Sequence, residues 1–304
     1  DRSSINLLRA FMASRDYADV TRELLAADLT GVADRSQARL LARRCPVLSR
    51  QILADQGRPA MLRMWGQSCN IDENTGTVIV PQPVIRSLGT MAGVEVQHPI
   101  VHAGVTHTYG YLFSIIDTPF GPKRNRWVRG EVARALGLPD RILSPQPRTG
   151  TLLCNATYVL GRIAFRGRRR ELQTLRDLRP DVPAMLGEFP YSDLRGHRIV
   201  ETIVHKRRTY RILTDLIEAP RARGEMHLLV YWWGEQGCRA RLITAFPVLP
   251  GYCADLCAPQ RFGRDVEITV RFNGYLAPLG DSRSKSYRGT RALYARSARF
   301  KPLA

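Results

Sequence analysis

The sequence predicts an α+β fold, an N-terminal helical segment followed by mainly antiparallel sheet, with two halves that echo each other. Three observations carry this. Apolar residues recur at helical spacing through residues 1–57. From residue 61 the pattern shifts to short runs rich in Val, Ile, Tyr, Trp and Thr. Neighbouring runs are joined by turns rather than by regularly alternating helices, which argues against a doubly wound parallel sheet.

In the first segment the apolar stripe passes through Leu7, Leu8, Phe11, Val20, Leu24, Leu25, Leu40, Leu41, Val47, Leu48, Ile52 and Leu53. Asp16 and Asp34 suit N-caps, and Gly31 and Gly57 suit stops. Strands are expected at Met61–Trp65, Thr77–Val80, Val94–Val96, Thr108–Ile116, Thr151–Phe165, Arg198–Val204, Met226–Trp233, Arg239–Phe246 and Val266–Phe272. Helices are expected at Val84–Met91, Arg126–Leu136 and Arg170–Leu178. Gly234-Glu235-Gln236-Gly237 predicts a hairpin over 226–246. The resulting division is a helical module 1–57, an α+β unit 58–165, a basic, proline-containing connector 166–190, a second α+β unit 191–282 and a basic tail 283–304. Ile100-Val101-His102 followed by Thr108–Pro119 echoes Ile203-Val204-His205 followed by Thr209–Pro220, as a duplicated supersecondary unit would.

Charge bounds the partner. The 304 residues carry 46 Lys+Arg against 27 Asp+Glu, a formal net charge of +19, and all the basic residues except Lys123, Lys206, Lys285 and Lys301 are arginine. A surplus of this size points to a polyanion, and arginine's planar fork suits phosphate. Hydrophobic residues make up 44%, which excludes a disordered chain. No apolar run of membrane-spanning length occurs, so no membrane partner is expected. Without a basic-then-apolar leader in the given chain, the expected location leans cytoplasmic. Six cysteines are too sparse for a disulfide scaffold, and Cys253-Ala-Asp-Leu-Cys257 lacks further zinc ligands beside it. His98, His102 and His107 fall on a run read as extended, which spreads them too far for one ion. No cofactor or metal is expected.

Three stretches suit nucleic acid, RNA ahead of DNA. The loop after Asp117 sets Lys123, Arg124 and Arg126 beside Trp127, combining phosphate and base contacts. The connector opens on Arg166, Arg168, Arg169 and Arg170. The tail holds Arg283, Lys285 and Arg288 among serines and a tyrosine, a composition suited to flexible contact. Lys206 and Arg207 add two more basic groups.

Metal-independent RNA cleavage requires a base, an acid and a cation. His205 and His227 are the expected pair, with His102 as a third histidine to test. Lys206, Arg207, Arg239 or Arg241 would supply the cation, and Thr244 or Tyr231 would position the substrate. With its histidine at 205, the segment ending in Pro220 and the hairpin closing in Leu242–Pro247, the stretch His197–Val248 resembles ribonuclease toxins of the barnase, EndoU and RelE type. That resemblance covers about 50 residues and implies a catalytic sheet. The expectation is thus a nucleic-acid-binding protein that is a metal-independent endoribonuclease. Two alternatives stand beside it: a non-catalytic nucleic-acid-binding module, and an enzyme acting on a small anionic metabolite in a closed pocket around Arg126 and Arg162. No P-loop, dinucleotide glycine motif, zincin motif or nucleophile elbow occurs.

Overall fold

The N-terminal apolar stripe folds into helices. The computed structural model describes residues 14–251, apart from 73–76, 98, 119–120, 129, 144–149, 167, 179–181, 206, 220–221 and 223–225, together with 266–268 and 293–302. Helices α1 (Ser14–Leu29), α2 (Asp34–Arg44), α3 (Pro46–Gln56) and the single turn α4 (Pro59–Leu62) follow one another. Pro46 and Pro59 begin their helices, where a missing N–H removes no helical bond. Gly31, at φ +75, closes the first helix. Val20, Leu24, Leu41, Leu48 and Ile52 turn inward and are buried.

Strand β1 (Gln67–Cys69) then pairs antiparallel with β2 (Ile100–His102), and α5 (Gln82–Ala92) lies between them in sequence. Next come α6 (Ala103–Thr108), a 3-10 turn (Gly110–Phe113) and the small hairpin β3 (Asp117–Thr118) and β4 (Gly121–Pro122). Helices α7 (Asn125–Val128), α8 (Glu131–Ala135), α9 (Leu152–Ala164), α10 (Arg169–Arg176) and α11 (Ala184–Glu188) complete the helical part. Among the described residues that follow, one sheet is built from β5 (Arg195–His205), β6 (Arg208–Glu218), β7 (His227–Glu235), β8 (Arg241–Val248), β9 (Val266–Ile268) and β10 (Leu293–Pro302). Its order is β8-β7-β6-β5-β10-β9 and every pairing is antiparallel. The fold is α+β. Among the described residues no helix is long and apolar enough to cross a membrane.

Several expected strands are helices instead. Thr151–Phe165 is α9, a helix buried along almost its whole length. Thr151 caps it, its hydroxyl accepting from the Cys154 amide at 3.0 Å, and nearly every side chain from Leu152 to Ala164 is buried. A helix that is apolar on all sides leaves the same continuous run as a buried strand. Thr108–Ile116 lies in the end of α6 and the 3-10 turn. Met61–Trp65 closes α4, while Val94–Val96 forms no element and Thr77–Val80 contributes a single bridge at Val78. Arg126–Leu136 is split at Gly130, whose φ is +86. A Cβ there would sit 2.2 Å from the Asp140 carbonyl oxygen, so only glycine allows the break. The internal echo is not structural: Thr108–Phe113 is helical where Thr209–Glu218 is strand. Residues 293–302, expected in a flexible tail, form β10 between β5 and β9.

The sheet and helices share one core. Leu242 on β8 exchanges backbone bonds with the segment after α4, accepting from Gly66 at 2.8 Å and donating to Met64 at 2.9 Å. Trp232 on β7 packs against Phe165 at the end of α9, ring centroids 5.1 Å apart. Apolar side chains from Tyr17 to Ala245 form one connected cluster.

Candidate functional site

Two concentrations of charge stand out, one interior and one on the surface. The interior one forms where β1, α6, the β3–β4 hairpin, α7, α8 and β8 meet. β1 carries Ser68 next to β2, which leads directly into α6, so Ser68 Oγ lies 3.1 Å from His107 Nε2. The α6 backbone is fixed in turn by Trp127, whose Nε1 donates to the His107 carbonyl at 2.9 Å. After β1 the chain reaches Asp72, whose carboxylate takes Lys123 Nζ at 2.5 Å. Arg126 lies 5.0 Å from the Tyr111 ring centroid and 5.5 Å from that of Phe246. Glu131 opens α8. Ser68, Asp72, His107, Lys123, Arg126 and Glu131 are all buried.

Burial sets the protonation states of this cluster. Desolvation first, then the nearby Arg126 and Lys123 charges, hold the His107 imidazole well below its ordinary range. It is therefore neutral near pH 7, and it could accept the Ser68 hydroxyl proton. Desolvation likewise raises the Glu131 carboxyl to about 7, with Arg126 and Arg134 opposing. Lys123 and Asp72 neutralise each other. Arg126 is left as a buried cation, and among the described residues no carboxylate lies within 4.0 Å of it. Its Nε and Glu131 Oε1 are buried without hydrogen-bond partners.

The raised Glu131 pKa carries a stability consequence. The folded state holds a proton that the unfolded chain releases above about 4.5, so stability falls as pH rises from there through 7. Roughly 1–3 kcal/mol should be lost across that window, discounted for partial screening. In urea melts at pH 5 and pH 8, Glu131→Gln should flatten this decline. A wild-type stability that rises between those pH values would contradict the assignment.

The surface concentration lies at one end of the sheet. The β5–β6 turn at Arg207 and the β7–β8 turn at residues 236–240 fall at the same end, joined where the Gln236 amide donates to the Thr209 carbonyl at 2.8 Å. Exposed Arg207, Arg208, Arg239 and Arg241 are gathered there. Arg207 sits at φ +65, the left-handed conformation a tight hairpin turn requires. The start of α10 adds Arg168 and Arg170. Arg239 lies 5.2 Å from the Phe165 ring centroid, and its pKa is lowered first by partial burial and then by Arg170, Arg168 and Arg241, against Glu171. Among the described residues, Arg168, Arg170, Arg239 and Arg241 form no ion pair within 4.0 Å. At this same end Arg208 is paired with Glu235 at 3.5 Å, and elsewhere Arg44 is paired with Glu23 at 2.6 Å.

The expected catalytic histidines do not meet. His205 pairs with Arg208 at one end of β6, while His227 begins β7 beside the other end, since Leu228 pairs with Ile217. Ten residues of strand separate the two positions, about 33 Å at ordinary strand rise. One phosphate cannot touch both, so the acid–base pair is corrected. His102 is a cap. Its Nδ1 accepts from the Val105 amide at 3.2 Å and its Nε2 bonds the Leu62 carbonyl at 3.0 Å. Thr244 is buried on β8 opposite Tyr231.

The basic loop is corrected too. Lys123, Arg126 and Trp127 are buried, because the hairpin folds inward against Asp72, Tyr111 and Phe246. They do not form an open phosphate grip, and Arg124 is half-buried. Arg166 is a strut, donating to the Leu194 carbonyl at 3.2 Å, whereas Arg168, Arg169 and Arg170 are exposed. Lys206, Arg283, Lys285, Arg288, His98, Cys253 and Cys257 lie outside the described residues, as does the His205 side chain.

Sequence reasoning missed the roles of Ser68, Asp72, His107 and Glu131. Ser68 and His107 are 39 residues apart, and no local pattern announces their meeting. A cleft of about 440 Å³ between α8, the turn at Phe189–Leu194 and the other sheet end is lined by Asp193 and Arg195 among mostly apolar side chains. Among the described residues no group of three or more His, Cys, Asp or Glu is arranged to hold a metal. Comparison of the chain with protein-family models, curated proteins and solved structures finds no match.

Proposed function

We propose that the chain is a nucleic-acid-binding protein, RNA ahead of DNA, whose contact surface is the arginine cluster at the β5–β6 and β7–β8 turns and the start of α10. The observation that carries this reading is that Arg168, Arg170 and Arg241 crowd Arg239, with Glu171 the carboxylate that opposes them there among the described residues. Like charges held together repel, and a polyphosphate offsets that repulsion while releasing its own counterions. The exposed guanidinium forks suit phosphate oxygens in pairs. α10 also begins without a side-chain cap, so its first amides add positive potential beside Arg168, Arg169 and Arg170. The separation of His205 from His227 favours binding without two-histidine cleavage.

Filter binding of labelled single-stranded RNA and duplex DNA, titrated against salt, tests this. The variant carrying Arg168→Gln, Arg170→Gln, Arg239→Gln and Arg241→Gln should bind RNA about 100-fold more weakly, and its log–log salt slope should be shallower by about 3. The same number of substitutions among exposed arginines of α2, including Arg35 and Arg39, should change the slope by less than about 1. RNA incubated with the wild type in EDTA should remain intact. Equal losses in the two variants, or salt-independent retention, would overturn the reading.

A further inference from the structure

We propose that the interior cluster around Arg126 is a binding site for the carboxylate of a small monocarboxylic acid, with Arg126 holding the anion and Glu131 facing it. The inference is independent of the surface arginines. A buried, unpaired guanidinium is costly, since desolvation must be offset by a counter-charge and by hydrogen bonds. Arg126 is 5% exposed, yet it carries a partnerless Nε and no carboxylate within 4.0 Å among the described residues. Glu131, 1% exposed, presents a partnerless Oε1 in the same interior. Tyr111 and Phe246 rings lie by the guanidinium, leaving its donors to bind a planar anion.

Charge balance selects the ligand class. Lys123 and Asp72 cancel, and His107 is neutral. Arg126 alone is uncompensated, so one negative charge neutralises the site, whereas a phosphate dianion would leave an excess. Protonated, Glu131 can donate a hydrogen bond to the second carboxylate oxygen; ionised, it repels the anion. Gly121 borders Glu131 without crowding it. A Cβ there would meet nothing closer than 3.7 Å, with Glu131 Oε1 at 3.8 Å.

The test is calorimetric titration of the full chain with acetate, butyrate, benzoate and inorganic phosphate at pH 6 and pH 8. At least one monocarboxylate should bind saturably, one per chain, at pH 6, and about tenfold more weakly at pH 8 as Glu131 ionises. At pH 8, where inorganic phosphate is mostly the dianion, it should bind about tenfold more weakly than the best acid. Arg126→Gln should abolish binding, and Glu131→Gln should bind with equal affinity at both pH values. The four-arginine surface variant should bind the acid as the wild type does, which separates failure of this site from failure of the nucleic-acid reading. Should Arg126→Gln fail to fold, the pH profile of Glu131→Gln decides. Absence of saturable binding at pH 6 would mean that Arg126 and Glu131 satisfy each other in solution. That result would overturn the proposal, as would phosphate binding as tightly as the acids at pH 8 or an unaltered pH dependence in Glu131→Gln.

Discussion

Asp215→Ala is expected to lower the unfolding free energy by about 3–5 kcal/mol, one of the two largest single-residue effects anticipated for this chain. Asp215 lies fully buried at the centre of β6. Its carboxylate accepts from Arg198 Nε at 2.5 Å and Nη2 at 2.7 Å, and from Trp232 Nε1 at 3.1 Å. The two arginine bonds form the bidentate geometry that makes such pairs strong. Arg198 also donates to the Ala164 carbonyl at 3.3 Å, tying the sheet to the end of α9. Burial alone would lower the Arg198 pKa, but the Asp215 hydrogen bond and charge raise it above its ordinary value. Removing the carboxylate leaves a desolvated guanidinium and an unpaired indole N–H, and that residue of uncompensated charge sets the magnitude. Replacing both partners with apolar residues, Arg198→Met with Asp215→Leu, should recover much of the loss. Urea unfolding followed by Trp fluorescence and far-UV circular dichroism measures both variants. A loss below about 1 kcal/mol in Asp215→Ala would show that the pair is solvated and that the sheet does not depend on it.

That network shows why some of this molecule can be read from its sequence and some cannot. β5, β7 and β8 were legible because each is a run of β-branched and aromatic residues bounded by turn residues, and the hairpin at Gly234–Gly237 forms where those glycines indicate. β6 was not among the expected strands, because Ile212, Leu213, Leu216 and Ile217 also fit helical spacing. The first three helices were legible from a one-sided apolar stripe. α9 was not, because a helix buried on every side has no stripe to read. The charged residues divide in the same way. Arg168 and Arg170 belong to a local run, so their exposure could be anticipated. Arg239 joins them only because β7 and β8 turn back at that end of the sheet. Lys123 and Arg126 look like a solvated basic loop, yet they are buried. What draws Lys123 inward is Asp72, 51 residues earlier. Whether a charge is exposed depends on partners that only the tertiary fold supplies.

Asp55→Ala tests whether the N-terminal helices are integral to the core, and it should destabilise the protein by about 3 kcal/mol or more. Asp55 is 1% exposed near the end of α3. One carboxylate oxygen accepts from the Tyr109 hydroxyl and the other from the Thr151 hydroxyl at 2.5 Å, with Arg58 Nη1 at 3.8 Å. The Thr151 hydroxyl at the same time accepts from Cys154 to cap α9. A second α3 side chain completes the junction: Gln51 Oε1 accepts from the Leu152 amide at 3.0 Å. α3 thus holds the Leu152 amide and the Thr151 hydroxyl at the start of α9 together with the Tyr109 hydroxyl, and removing Asp55 strands two buried hydroxyls at once. Burial first, and then the Asp55 charge, pushes the Tyr109 hydroxyl well above its ordinary pKa, so it remains a donor through the alkaline range. Asp55→Asn retains an acceptor and should cost less than the alanine variant. Because the junction spans both parts of the chain, the loss should lower one cooperative transition as a whole, with helical circular dichroism and Trp fluorescence melting together. If the helical signal melts first while the fluorescence transition keeps its wild-type midpoint, residues 14–56 fold as a separate unit and the Asp55 junction is not what holds them to the sheet.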